Sequence, residues 1–309
     1  MIIDTKSHTS GNSPSFSIVV PLYNKQATVE KTIQSVLSQH YPNFELIIVN
    51  DETPDRSMEV VRRYETQLKI VEQKNSGPSR ARNHGASVAT YSHLVFLDAD
   101  DILLPGCLTT FSELIGEFQS PLIMCAWKNQ PPEGDIEINI PQPCLGSLES
   151  PRACQTNEFH STLVTGVQLG SFCLEHSLFD KAGGFCEKLR CWEVTDFLFR
   201  IGLEKPEITT FPRAVMLAER DVATSQFLNH FKDTDQKDLF LQRVLTHLQD
   251  IPVSERRVFV KTCLDLLNQY LETHQIQEFI NLYRITKCFL SPRERVRLQT
   301  KKLLTCLKA

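Results

Sequence analysis

The chain has 309 residues, 41% of them hydrophobic and 23% charged, with a formal net charge of -4. That balance is ordinary for a globular protein with two domains, or one large domain and an appendage. It offers no overall basic field for nucleic acid and no stretch approaching a membrane span, and Met1 to Ser15 lacks the apolar core of a signal peptide, so a cytoplasmic protein is expected. The 10 cysteines are scattered, with no Cys-x-x-Cys pair, which predicts reduced thiols and no structural zinc.

Residues 1–15 read as a flexible tail. Phe16 to Val20 is a short β-rich run that Pro21 is expected to stop. Lys25 to Gln39 has helical spacing through Val29, Ile33, Val36 and Leu37. Phe44 to Val49 predicts a buried strand ending at Asn50-Asp51, residues 55–67 a helix, and Leu68 to Val71 a third strand. Pro78 to Ala89 predicts a helix with proline in its first turn, where the missing N–H costs little. A strand from His93, a helix over 105–118 and a strand over 121–127 follow. Strands and helices alternating at short spacing predict an α/β fold, a mostly parallel sheet with helices on both faces.

Residues 128–160 break the pattern with Pro131, Pro132, Pro141, Pro143 and Pro151, and read as an irregular segment over the cleft. Ser171 to Phe179 regains strand character, Lys181-Ala182-Gly183-Gly184-Phe185 is a turn, and Trp192 to Gly202 is an amphipathic helix. Two short strands are expected at 207–211 and 214–218. Helical spacing then runs over 235–249, 254–273, 275–290 and 292–308, an α-helical C-terminal extension. The expected divisions are a tail over 1–15, an α/β domain over 16–225 and the extension over 226–309.

The strand from His93 ends in three carboxylates, Asp98, Asp100 and Asp101. Ligands of open α/β sheets bind just outside the carboxyl ends of strands. Acids so close repel one another unless something positive sits among them. A divalent cation carrying a phosphorylated ligand is one candidate. The alternative is a solvated turn, with Asp101 capping a turn or helix. The other predicted strand ends are also polar: Tyr23-Asn24, Asn50-Asp51 and Asn75-Ser76-Gly77.

The order of these segments resembles the family 2 glycosyltransferases of the GT-A fold. The resemblance rests on Val19-Val20-Pro21-Leu22-Tyr23-Asn24, Leu46 to Glu52, Asn75-Ser76-Gly77-Pro78-Ser79-Arg80-Ala81-Arg82-Asn83-His84-Gly85, Phe96-Leu97-Asp98-Ala99-Asp100-Asp101, Lys181 to Phe185, and Trp192 to Arg200. It covers about Phe16 to Ser225 and excludes the helical extension. It implies a Rossmann-like sheet and transfer of a sugar, with inversion, from a nucleotide-diphosphate sugar to an acceptor hydroxyl. A UDP-sugar is the expected donor, and a glycan or a lipid-linked molecule the expected acceptor.

By the same resemblance Pro21, Tyr23 and Asn24 border the nucleotide, and Asp51 hydrogen-bonds the base. Arg82, whose planar fork suits phosphate oxygens, reaches the ligand, while Arg80 lies on a solvated face. Asp98 accepts from ribose hydroxyls or a metal-bound water, and Asp100 binds Mg²⁺ or Mn²⁺, which stabilises the leaving diphosphate.

The chain departs from the family at the base. Where the pattern has Glu-Asp, this sequence has Glu193-Val194, and valine cannot accept a proton. General base catalysis is worth about 10²–10⁴ in rate. Glu193 acting as the base, Asp196 acting instead, and a catalytically silent nucleotide-sugar-binding or scaffold protein are the readings this leaves. The last helix carries Arg293, Arg295, Arg297, Lys301, Lys302 and Lys308 beside Val296, Leu303, Leu304 and Leu307. Packing of its apolar face on its neighbours is one reading and peripheral contact with an anionic membrane the other.

Overall fold

The computed structural model of the chain describes residues 13–130, 135–139, 152–154, 167–219, 234–247, 276–287 and 290–308, with single positions at 250, 256, 264, 267, 268 and 271. Most of the expected tail over 1–15, the expected boundary at 225–226 and most of 128–160 and 254–273 lie outside the described residues.

The strands are β1 (Phe16–Leu22), β2 (Phe44–Asn50), β3 (Lys69–Glu72), β4 (His93–Phe96), β5 (Asp101–Leu103), β6 (Leu122–Gln130), β7 (Glu137–Asn139), β8 (Arg152–Cys154), β9 (Phe172–Glu175) and β10 (Ile208–Glu219). They form one sheet in the order β3-β2-β1-β4-β9-β6-β10-β5, with β7 on β6 and β8 on β10. β1 pairs in parallel with β2 and β4, β2 with β3, and β6 with β10. β9 runs antiparallel between β4 and β6, and β5 antiparallel to β10. β5 follows β4 directly after Leu97–Asp100, yet stands at the far end of the order. The sheet therefore curls, and the Asp98–Asp100 turn joins β4, in its interior, to β5 at one end.

Alternation along β1 and β2 feeds two cores. Ile18, Val20, Leu46 and Ile48 face one side, with α1 (Val29–Leu37), α2 (Ser57–Val61) and α4 (Cys107–Phe118). Val19, Ile47 and Val49 face the other, with α3 (Pro78–Ser87), α5 (His176–Lys181) and α6 (Glu193–Leu203). This period of two with both faces covered is why the strands read as near-continuous apolar runs. The same core holds Phe240, Val244, Phe279, Leu282 and Leu298 of α7 (Thr234–Thr246), α8 (Ile276–Thr286) and α9 (Pro292–Lys308). The helical extension is thus packed onto the α6 side of the sheet. Cys107, Cys125, Cys173 and Cys186 are free thiols, and burial pushes those of the first three up.

Several elements differ from the sequence expectation for physical reasons. β1 continues through Pro21, because its pairing with β4 ends at Val19 and the missing N–H falls beyond that ladder. Residues 208–219 form one strand, not two, with register shifts between Phe211 and Ala214 and between Ala214 and Met216. Ser171 to Phe179 is a strand only to Glu175, and α5 follows at once. Residues 55–67 divide into α2 and a 3₁₀ turn at Arg62–Tyr64.

Helix α3 approaches the sheet closely at Gly85. A Cβ there would stand 2.3 Å from Val19 Cγ1 and 3.0 Å from Val49 Cγ2, both in buried strands. Gly85→Ala is therefore expected to cost about 1–3 kcal/mol through overpacking, despite alanine's higher helix propensity. Urea unfolding of the two proteins measures this, and a stabilised variant would show that the helix can shift outward freely.

Candidate active site

The carboxyl ends of β1, β2 and β4 and the loop after β3 meet along one sheet edge. At the end of β1, Tyr23 is 36% exposed and Asn24 adopts a left-handed φ of 56°. The Asn24 N–H donates to Thr53 Oγ1 at 2.7 Å, tying the first loop to the second. Asparagine tolerates that backbone region better than most residues.

Asp51, at the end of β2, is buried. Its Oδ1 accepts from Gln73 Nε2 and the Ser76 N–H, both at 2.8 Å, and its Oδ2 accepts from the Gly77 N–H at 2.9 Å. The carboxylate thus shapes the loop that leads into α3. Two oxygens offer about four acceptor sites, so one remains for a ligand donor.

Arg82 of α3 is almost wholly buried. Its Nη2 donates to Asp98 Oδ1 at 2.8 Å and its Nη1 to Glu193 Oε1 at 3.2 Å. Its guanidinium lies 5.4 Å from the centre of the Phe185 ring. Burial works against its charge, but Asp98 and Glu193 outweigh that and hold Arg82 above its ordinary proton affinity. Its Nε has no hydrogen-bond partner among the described residues. The fork expected to reach phosphate is thus engaged with two carboxylates, one from the acid turn and one from the start of α6. Arg80, by contrast, is exposed.

The adjacent Asn83 holds the turn of Lys181 to Phe185 in place. Its Nδ2 donates to the Phe185 carbonyl at 2.9 Å, and its Oδ1 accepts from the Phe185 N–H at 2.8 Å. Gly184, at a φ of 64°, would bring a Cβ within 2.7 Å of Asn83 Oδ1. Only glycine fits both the backbone region and the space.

Glu193 opens α6, where the helix N-terminus favours negative charge. Burial pushes its carboxyl above the ordinary glutamate range, and Arg82 beside it opposes the rise. Val194 is half-buried against the core. The residue before the helix, Trp192, takes a left-handed φ of 66°, and its ring stacks on Phe240 of α7 at 5.5 Å.

Asp196 is not gathered into this group. It is buried, and it accepts from Arg200 Nε at 2.9 Å and from Arg243 Nε at 2.6 Å. Arg200 also donates to the carbonyls of Ala182 and Gly184. The alternative base is thus enclosed by two guanidinium groups, one of them from the helical extension.

In the acid turn, Lys25 Nζ lies 2.5 Å from Asp100 Oδ2. Burial and then the Asp98 charge push the Asp100 carboxyl up, and Lys25 counters them. Asp101 belongs to β5, is buried, and accepts from Gln168 Nε2 at 2.8 Å. Burial, followed by its two acidic neighbours, pushes its carboxyl well above the ordinary range.

Asp98 and Asp100 suit a hard cation, since Mg²⁺ is commonly held by one or two carboxylates together with substrate phosphates. Among the described residues no three His, Cys, Asp or Glu side chains converge on one point, so the donor set fits a cation shared with a ligand. Sequence reasoning missed Lys25, Gln168 and Arg243. Lys25 had a signal, as a cation directly after Tyr23-Asn24; the other two come from distant, unpatterned segments.

Residues 17–151 match the family model described as Glycosyl transferase family 2. Among curated relatives, the Uncharacterized glycosyltransferase EpsJ of Bacillus subtilis is 34% identical over 120 residues. That alignment covers 38% of this chain and only 35% of EpsJ, so the chain spans about a third of that relative's length.

Solved structures show the same GT-A fold over a longer stretch. S. aureus TarS 1-349 in complex with UDP-GlcNAc has a TM-score of 0.63 at 18% identity, covering 89% of this chain and 91% of that one. The mannosyltransferase PcManGT of Pyrobaculum calidifontis, in complex with GDP-Man and Mn²⁺, has a TM-score of 0.58 at 16% identity, covering 95% and 81%. Among the described residues no helix is long and apolar enough to cross a membrane.

Proposed function

We propose that the chain transfers a sugar, with inversion, from a nucleotide-diphosphate sugar to an acceptor hydroxyl, and that Glu193 is the general base. The observation that carries this reading is the Arg82 bridge, which holds Asp98 and Glu193 at one sheet edge. It links a donor-side carboxylate to the residue beside the missing base. Arg82 then acts chiefly by orienting two acids.

The donor's base is placed at Asp51 and Tyr23. An exposed aromatic ring can stack on a nucleobase, and Asp51 can accept from an N–H such as that of uracil. TarS bound to UDP-GlcNAc favours uridine among the nucleotides. Asp98 faces the ribose and, with Asp100, would hold Mg²⁺ or Mn²⁺, whose chemistry is to neutralise charge on the leaving diphosphate. Glu193 takes the proton of the acceptor hydroxyl as that oxygen attacks the anomeric carbon from the side opposite the diphosphate. Its longer side chain covers the gap left by Val194. The acceptor is a glycan or lipid-linked hydroxyl. Arg293, Arg297 and Val296 of α9 are exposed and suit an anionic surface, whereas Lys302 lies over the Phe279 ring and Lys301 donates to Asn268.

Thermal shift with a panel of nucleotide sugars and Mn²⁺ tests the donor site. A UDP-sugar is expected to raise the Tm, and Asp100→Asn to remove the Mn²⁺-dependent part of the rise, about 1.4 kcal/mol for a tenfold affinity loss. An unchanged Mn²⁺ effect in the variant sinks the assignment. Val194 favours a second reading, a silent binding protein, which predicts the same shifts and no transfer.

A further inference from the structure

Lys25 is a charged group at the acid turn that the proposed reaction leaves without a role. Its ammonium is 2.5 Å from Asp100, and both side chains keep about a quarter of their exposure (24% and 27%). Its backbone is fixed: the Lys25 N–H donates to Ser57 Oγ at 3.0 Å, and its carbonyl accepts from the Val29 N–H at 2.9 Å. The same loop is tied to the acid turn, since Thr28 Oγ1 donates to the Ala99 carbonyl at 3.0 Å. The ammonium can therefore move only on its own four-carbon stem, and Asp100 stays within its reach.

We infer that Lys25 couples the divalent cation to the nucleotide: its ammonium is the counter-ion of Asp100 until a cation arrives, and the donor's diphosphate then takes the ammonium over. This rests on the reading of Asp98 and Asp100 as part of the donor site. Two cations cannot share one carboxylate oxygen without repulsion. A metal that takes Asp100 Oδ2 alone displaces the ammonium and leaves it without that counter-ion. A metal that arrives with a diphosphate brings that anion with it. The two-carboxylate donor set points the same way, because a cation there needs further oxygen ligands. A lysine ammonium, compact and with three donors, is well suited to phosphate oxygens. Linkage makes the effect reciprocal: if UDP tightens Mn²⁺, Mn²⁺ tightens UDP by the same factor.

The test uses the full chain, with Mn²⁺ followed by electron paramagnetic resonance and UDP by calorimetry. In the native protein, UDP is expected to tighten Mn²⁺ binding by about tenfold or more, a usual size for coupling between sites. In Lys25→Met, Mn²⁺ without UDP is expected to bind about tenfold more tightly, and UDP at saturating Mn²⁺ about tenfold more weakly, so most of the coupling disappears. Lys25→Arg keeps the charge and is expected to stay within about threefold of the native protein in both measurements. The inference is overturned if either constant is unchanged in Lys25→Met, or if the arginine variant behaves like the methionine variant. Asp100→Asn separates the two layers. If it leaves Mn²⁺-dependent UDP binding intact, the donor-site reading itself falls. If it abolishes that binding while Lys25→Met changes nothing, the site stands and the role of Lys25 is refuted.

Discussion

Glu193→Gln is expected to lower kcat by about 10²–10⁴ while donor affinity stays within about threefold. The amide keeps the shape of the side chain and an oxygen for Arg82, so it removes the proton acceptor and little else. Equal loss in kcat and kcat/KM would mark an interaction made only in the transition state. The pH profile provides a second signature. Burial raises the Glu193 pKa, and Arg82 only partly offsets this. Below that pKa the carboxyl is protonated and cannot accept the acceptor's proton, so the rate falls as pH falls. The acid limb of kcat/KM is therefore expected above the ordinary glutamate value, and it should vanish in Glu193→Gln. Removing the opposing charge with Arg82→Met should move the limb higher still. A glutamine variant with native kcat would assign the base to another group.

The parts of this site that were legible in the sequence are those fixed by strand ends. Asp51, Asp98 and Asp100 follow directly from buried apolar runs, and a strand that ends in acids can deliver them to only one edge of a parallel sheet. The glycines were legible as letters and gain their reasons from space: Gly85 lies against Val19 and Val49, and Gly184 against Asn83. Pairings across the chain were not legible. Arg82 and Glu193 are 111 residues apart and Arg243 and Asp196 are 47 apart, and neither separation leaves a periodic mark. β5 has three residues, too few to show alternation, so Asp101 read as a turn residue rather than as part of an edge strand on β10. The same limit applied to Asp196. On a helix wheel it is a neighbour of Glu193, and only the packed helices show that two arginines enclose it.

That enclosure predicts a stability effect, where Glu193 predicts a rate effect. Asp196→Asn is expected to destabilise the protein by about 3 kcal/mol, the lower end for breaking a buried ion pair. The carboxylate is 1% exposed, and without it Arg200, at 15% exposed, keeps its charge but loses its main counter-ion. Arg243 is 35% exposed and can turn to water, which holds the cost at the lower end. For the same reason Arg243→Met should cost only about 1 kcal/mol, because Arg200 still satisfies the acid. The consequence reaches the site through α6. Arg243 and Phe240 of α7 hold the first turn of that helix through Asp196 and Trp192, and the Arg190 N–H donates to Gln236 of the same helix at 2.6 Å. Glu193 lies between those two anchors, directly after Trp192. Loosening the contact should therefore lower kcat more than donor affinity, since Asp51 and Asp98 are held by other elements. Urea unfolding with steady-state kinetics separates the two effects: an Asp196→Asn protein of native stability but without activity would return Asp196 to the role of base, whereas a weakened protein that retains part of its turnover identifies the pair as the clamp on the helix that carries Glu193.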